Sequence, residues 1–108
     1  MKVIKKPVGR RAFFDEIQND LLSLQEAVDG RIEAVTLGAD CVIISNAESV
    51  TKCLPYNCNI LGMSFYGDIV IVGIHGEKFT DVTLPIETFN KVVEWDFHTA
   101  VNHLLNNV

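Results

Sequence analysis

Residues 19–35, NDLLSLQEAVDGRIEAV, contain a helix start, an amphipathic helix, a glycine stop and a strand in unbroken order. Asn19 or Asp20 suits the N-cap, because its side-chain oxygen can accept hydrogen bonds from the free amides of the first turn. Apolar residues then recur at steps of four and three, which places them on one helix face that packs on a sheet. Gly30 follows where a left-handed residue ends a helix easily. The alternation from Arg31 to Leu37 predicts a strand.

Strand patterns flank this unit on both sides. The strongest is residues 68–75, DIVIVGIH, whose nearly continuous apolar run is typical of a central strand buried on both faces. Residues 41–45 and 50–54 are predicted to pair as a hairpin, and residues 56–67 to form a loop. Weaker strand patterns lie at residues 1–5, 12–17 and 78–82.

A second helix is predicted after Thr83, which suits an N-cap, with Pro85 in its first turn. Its apolar spacing continues to the end of the chain, so residues 95–108 are expected to form a C-terminal helical tail. The sum is an α+β fold, with one mixed, mainly antiparallel sheet of five to six strands and two helices packed on one face. We expect residues 1–108 to form a single domain.

The composition is that of one globular domain. The 108-residue chain is 48% apolar and 21% charged. Its apolar runs are far shorter than the roughly 20 residues needed to cross a bilayer, and its N-terminus lacks a signal-peptide pattern. Cys41, Cys53 and Cys58 are odd in number and show no disulfide or zinc-site spacing. The sequence therefore predicts a cytoplasmic protein without a metal, a cofactor or a membrane segment.

The charges are unevenly distributed along the chain. The net charge is −5, yet residues 1–14 contain five basic residues and no acid. A solvated N-terminal hairpin whose cations face an acidic body is the interpretation we favour. The alternative is a nucleic-acid-binding arm, with Phe13 or Phe14 available for base stacking. The five basic residues are Lys2, Lys5, Lys6, Arg10 and Arg11.

Four segments together are similar to the motifs of one family. They are residues 1–4 (MKVI), 24–35 (LQEAVDGRIEAV), 54–57 (LPYN) and 68–73 (DIVIVG). In this combination the chain resembles a small phage and mobile-element family, a domain of unknown function numbered thirty-eight forty-six, from residue 1 to about residue 94. The turn at residues 46–49 departs from the family pattern. The resemblance implies a home in a phage, prophage or plasmid of a bacterium, and it implies no activity.

Three polar residues near turns are candidates for ligand binding. Tyr56 offers a flat stacking surface, and Asn57 carries an amide that a turn presents. Alternatively, Asn57 hydrogen-bonds the backbone of its own loop, which is the interpretation we favour. The same two possibilities hold for Asn46, with more weight on the turn.

His75 is a fourth candidate, because it ends the predicted central strand. Catalysis by His75 needs a nucleophile or a carboxylate within hydrogen-bond reach, and Glu77 or Asp81 is available. No catalytic motif accompanies these residues.

The function predicted from the sequence is that of a non-enzymatic accessory protein that binds a macromolecular partner or a small ligand, as a monomer or a homodimer. The alternatives are nucleic-acid binding through the basic hairpin, and a small hydrolase-like enzyme that uses His75.

Overall fold

The computed structural model describes residues 1–94, and the tail predicted at residues 95–108 lies outside the described residues. The described part of the chain forms nine strands and two helices. In chain order they are β1 (Lys2–Lys6), β2 (Phe13–Glu16), α1 (Leu21–Val28), β3 (Ile32–Thr36), β4 (Cys41–Asn46), β5 (Tyr56–Ile60), β6 (Met63–Tyr66), β7 (Ile69–His75), β8 (Lys78–Thr80), α2 (Ile86–Val92) and β9 (Val93–Glu94).

The main sheet has six strands, and β7 lies at its centre as the sequence predicts. Its order is β2-β1-β7-β4-β3, and β8 pairs with the second half of β7. Every pairing is antiparallel, and Ile71 of β7 lies between Ile4 of β1 and Ile43 of β4. The α+β class and the mainly antiparallel sheet are therefore confirmed.

A second sheet has three strands in the order β6-β5-β9, and two of them, β5 and β6, are formed by residues 56–67, which the sequence predicts to be a loop. That prediction is wrong, because β5 and β6 form a hairpin whose turn is made by Leu61 and Gly62, both with positive φ. The strand predicted at residues 50–54 is also wrong. Val50 there is 73% exposed, and β4 instead pairs with β3.

The two helices lie on opposite faces of the main sheet, so the expectation that both pack on one face is wrong. Side chains alternate between the two faces along each strand. Val42 and Ile44 of β4 pack with Leu24 of α1. Ile43 packs with Phe89 of α2 and with the second sheet. Each helix carries one apolar stripe, and such a stripe does not reveal which face of the sheet it covers.

The ends of α1 follow local capping chemistry. Asp20 is the N-cap, and its carboxylate accepts a hydrogen bond from the Ser23 amide at 2.7 Å, which lowers the pKa of Asp20. The left-handed residue at the other end is Asp29, with φ of 59°, and not Gly30 as predicted. Gly30 instead leaves room for the Asn46 side chain, since a Cβ at residue 30 would lie 2.6 Å from Nδ2 of Asn46.

The second helix begins later than predicted. Pro85 is its N-cap and no side chain caps it, so Thr83 does not act as the cap. No helix in the described part of the chain is long and apolar enough to cross a membrane.

Candidate functional site

A groove of about 230 Å³ lies where β6 of the second sheet meets β3 and β4 of the main sheet. Its wall is mixed, with a carboxylate and hydroxyl groups beside apolar side chains. The residues that line it are Glu33, Val35, Ser45, Ser49, Val50, Met63, Ser64, Phe65 and Tyr66.

Ser45 lines this groove from the main sheet. It follows Cys41 and Ile43 on the face of β4 that packs against the second sheet. Ser45 is only 5% exposed, and its hydroxyl has no hydrogen-bond partner within residues 1–94. Since no buried side-chain oxygen or nitrogen in these residues lacks a partner, this hydroxyl is accessible to solvent. A polar group in such a position gains from a partner that a ligand or water supplies. The row of apolar side chains on β4 therefore ends in a hydroxyl that is available at the groove.

Glu33 provides the charge of the groove. It lies directly opposite Ser45 in the β3–β4 ladder, so both side chains are on the same face of the sheet. In the part of the chain that the structure describes, the Glu33 carboxylate has no hydrogen bond or ion pair. A carboxylate next to serine hydroxyls accepts hydrogen bonds from a cationic donor group.

Asn46 lies at the other face of β4 and completes the end of α1. Its Nδ2 donates hydrogen bonds to the carbonyl oxygens of Val28 and Asp29 at 3.2 and 3.0 Å, and its Oδ1 accepts one from the Glu48 amide at 2.8 Å. These bonds satisfy carbonyls that a helix end otherwise leaves open. A ligand role for the buried Asn46 would require them to break.

Asn57 is likewise buried, and it joins three segments of the chain. Its Nδ2 donates to the carbonyl oxygens of Lys6 and Gly67, both at 2.7 Å, and its Oδ1 accepts a hydrogen bond from Nζ of Lys6 at 2.9 Å. Nζ of Lys6 also donates to the Pro7 carbonyl at 2.7 Å. We call Lys6 and Asn57 the buried polar pair. Asn57 therefore bonds the backbone of two other segments, at Lys6 in β1 and at Gly67 after β6.

Burial shifts the pKa of Lys6, a member of this pair, and the pKa of Cys58 in opposite directions. Desolvation lowers the pKa of Lys6 below its ordinary value of 10.5, although Cys58 and Asp68 oppose the shift. Desolvation also raises the pKa of Cys58 to about 11, against an ordinary value of 9.0. Both shifts keep these buried groups closer to neutral.

Alkaline titration should distinguish the contributions of Cys58 and Lys6 to the free energy of unfolding. Between pH 9 and 11 the unfolded chain loses the Cys58 proton while the folded protein keeps it, so stability falls by up to about 1.4 kcal/mol per pH unit. Lys6 acts in the opposite direction, because the unfolded chain holds its proton up to a higher pH. We expect Cys58→Ala to flatten or reverse the decline of the unfolding free energy in this range. Cys53→Ala, at an exposed position, should leave the slope unchanged. Equal slopes in wild type and Cys58→Ala would contradict this assignment.

Tyr56 and His75 lie in different places. The Tyr56 ring packs edge-on against Tyr66 with centroids 5.6 Å apart, so it supports one wall of the groove. His75 is exposed where β7 turns into β8, opposite Lys78. Asp81, one of its proposed partners, instead accepts a hydrogen bond from the Lys2 amide at 2.8 Å. Within residues 1–94, His75 makes no hydrogen bond or ion pair with Glu77 or Asp81.

The five basic residues near the N-terminus do not form one surface. Lys6 is fully buried, and Lys5 forms an ion pair with Asp15 at 2.9 Å. Nζ of Lys2 lies 4.2 Å from the centroid of the Phe14 ring. The two arginines, Arg10 and Arg11, are exposed in the loop between β1 and β2.

The cysteines are all free, and within residues 1–94 no three His, Cys, Asp or Glu side chains lie close enough together to hold a metal ion.

A family model described as Domain of unknown function (DUF3846) matches residues 1–94, the same residues that the structure describes. The chain belongs to this family. No curated protein and no solved structure has significant similarity to it. Membership in DUF3846 confirms the resemblance carried by the four segments, and it brings no known activity with it.

In this DUF3846 domain, sequence reasoning missed Ser45, Glu33 and Ser64 as site residues. The pattern of residues 41–45 indicates a fully apolar strand, because four apolar residues precede the serine. A signal was present, since Ser45 continues the inward row of Cys41 and Ile43. The groove itself was not predictable, because β6 lies in a segment that was assigned to a loop.

Proposed function

We propose that this DUF3846 domain is a non-enzymatic accessory protein of a phage or another bacterial mobile element, which acts in the host cytoplasm by binding. The family resemblance supports the mobile-element setting. One observation supports the binding role: Ser45 is only 5% exposed, and its solvent-accessible hydroxyl has no partner in the described chain and borders an open groove.

The groove favours a small cationic group as its ligand. Its volume of about 230 Å³ is below the range of roughly 300–1,000 Å³ that is typical of drug-sized ligands. One amino-acid side chain or a small amine therefore suits it. Glu33 supplies the charge, Ser45 and Ser64 supply acceptors, and Val35 and Met63 offer apolar surface. The ligand is a guanidinium or ammonium group on a short apolar stem, presented by a partner protein or by a small molecule.

The alternatives have less structural support. Nucleic-acid binding has less support because Lys6 is buried, Lys5 forms an ion pair with Asp15, and Lys2 lies opposite Glu16 in the β1–β2 ladder. An enzyme that uses His75 has less support because His75 makes no hydrogen bond or ion pair with a carboxylate of the described chain.

Titration with a guanidinium probe tests the proposal. We expect N-acetyl-arginine amide to shift the NMR amide signals of Glu33, Ser45 and Ser64 in a saturable way, because its donors match these acceptors. N-acetyl-leucine amide, which has no side-chain donor, should leave the same signals unchanged. Glu33→Gln should weaken binding about tenfold or more, since a hydrogen bond to a charged group is lost, and Ser45→Val should weaken it severalfold.

Glu87→Gln is the matched control, because it removes an exposed carboxylate from α2 without touching the groove. Its affinity for the probe should equal that of the wild type. Shifts confined to residues outside the groove, or equal affinities in all variants, would refute this binding site.

A further inference from the structure

Strand β2 forms one edge of the main sheet, and no described strand covers its outer side. Its two aromatic residues, Phe13 and Phe14, are 43% and 41% exposed. Unpaired strand edges with apolar side chains readily pair with another strand. The edge of β2 is therefore a surface suited to strand addition.

The hydrogen bonds to β1 decide which residues of β2 point outward. Met1 and Ile17 exchange both backbone bonds, at 2.7 and 3.0 Å. Because this pattern alternates along an antiparallel ladder, Asp15 and Phe13 also bond to β1. Phe14 and Glu16 then direct their backbone N–H and C=O groups away from the sheet. An added strand must use these outward groups.

This constraint limits how a second copy can pair. In an antiparallel ladder, two opposite residues either form backbone hydrogen bonds with each other, or both direct their N–H and C=O groups away from the partner strand. A two-fold axis between two copies of β2 must therefore set one residue opposite the same residue of the second copy, and not opposite its neighbour in the sequence. We describe such an axis as lying at that residue. An axis at Phe14 sets Asp15 opposite an aromatic ring, and an axis at Asp15 sets two carboxylates opposite each other.

An axis at Phe13 gives a self-complementary pairing. The segment Arg10 to Glu16, RRAFFDE, then pairs with itself in reverse. Arg11 lies opposite Asp15 of the second copy, and Arg10 lies opposite Glu16. The two Phe13 rings meet at the axis, and Ala12 bonds with Phe14. Opposite charges across a strand pair stabilise it, whereas like charges destabilise it.

We propose that this protein forms a two-fold homodimer in which β2 pairs with β2 of a second copy around Phe13, with Arg10 and Arg11 paired to Glu16 and Asp15 across the interface. Pairing requires residues 10–12, which lie outside β2 in the single chain, to extend the strand, and the Arg10 amide to exchange the Pro7 carbonyl, at 3.4 Å, for the second copy. It joins the two main sheets into one continuous antiparallel sheet. Such an interface is isologous, as two-fold symmetry requires. It also gives the two exposed arginines acidic partners.

Charge reversal tests the pairing in the full-length chain. Sedimentation equilibrium of the wild type should show a concentration-dependent dimer. Arg10→Glu should raise the dimer dissociation constant at least tenfold, because each of the two symmetry-related pairs then sets a glutamate opposite Glu16. Glu16→Arg should raise it by a similar factor, because each pair then sets an arginine opposite Arg10. The double variant Arg10→Glu, Glu16→Arg should dimerise like the wild type. Lys91→Glu, an equal charge change on exposed α2, should have no effect.

Mixing gives a second readout. Arg10→Glu mixed with Glu16→Arg should form a heterodimer, since every cross-strand pair then has opposite charges, although neither variant dimerises alone. Circular dichroism should show that both single variants are folded. A monomer at every concentration would overturn the proposal, and so would a dimer whose dissociation constant is insensitive to both reversals.

Discussion

Replacing Asn57 with leucine is expected to lower the free energy of unfolding by about 3–5 kcal/mol. Leucine has a similar volume but cannot accept the hydrogen bond from Nζ of Lys6, so a buried charge loses a partner. It also leaves the carbonyl oxygens of Lys6 and Gly67 without their donor. Chemical denaturation of the purified variants measures the loss.

Asn59→Leu is the matched control, because Asn59 is only partly buried and its amide makes one long bond, of 3.4 Å, to Ser64. It also accepts the Gly62 amide, so a loss of about 1 kcal/mol is expected. The variant Lys6→Met, Asn57→Leu should lose less stability than the two single variants added together, since it removes the charge together with its partner. Additive losses, or equal losses for Asn57→Leu and Asn59→Leu, would show that the buried polar pair is not a coupled unit.

Replacing Gly73 with alanine should be nearly as damaging, at about 3 kcal/mol. A Cβ at this position of the central strand would overlap the carbonyl oxygen of Asp81 and lie 3.0 Å from its carbonyl carbon. These are backbone atoms next to β8, so they cannot yield as a flexible side chain would. Thermal unfolding should reveal a large decrease in Tm.

Gly76→Ala provides the comparison on the same hairpin. Gly76 has φ of 62° and no atom within 4 Å of an added Cβ, so alanine meets only the left-handed backbone cost of about 1 kcal/mol. A Gly73→Ala protein as stable as Gly76→Ala would mean that β8 packs less closely on β7 than the structure indicates.

The sequence predicts best where one local pattern decides the outcome. The continuous apolar run of β7 identifies a central strand, and Asp20 marks a helix start through capping chemistry. The helix at residues 21–28 is likewise local. These features depend on neighbours in the chain, and the structure confirms each of them.

The predictions that fail depend on contacts between distant segments. The segment 56–60 reads as a loop because Asn57 and Asn59 interrupt its apolar pattern. The inward position of Asn57 is possible only because Lys6 and Gly67, far away in sequence, satisfy its amide. The predicted N-terminal hairpin does form, but the pairing proposed for Arg10 to Glu16 could not be predicted, because it depends on the hydrogen bonds to β1 that set which way β2 faces.

The candidate site follows the same division. The sequence indicates Asn46 and Asn57 as candidates because they are polar residues near turns, and in the structure both amides donate hydrogen bonds to backbone carbonyl oxygens. Ser45 is not noticed in the sequence, because it ends an apolar strand, yet its hydroxyl has no partner within residues 1–94 and lies at the groove.

A crystal of this protein soaked with N-acetyl-arginine amide tests the binding account most directly. We expect guanidinium density in the groove, with its nitrogens within hydrogen-bond distance of the Glu33 carboxylate and the Ser45 hydroxyl. An empty groove at saturating probe, or a probe bound only elsewhere on the surface, would contradict it.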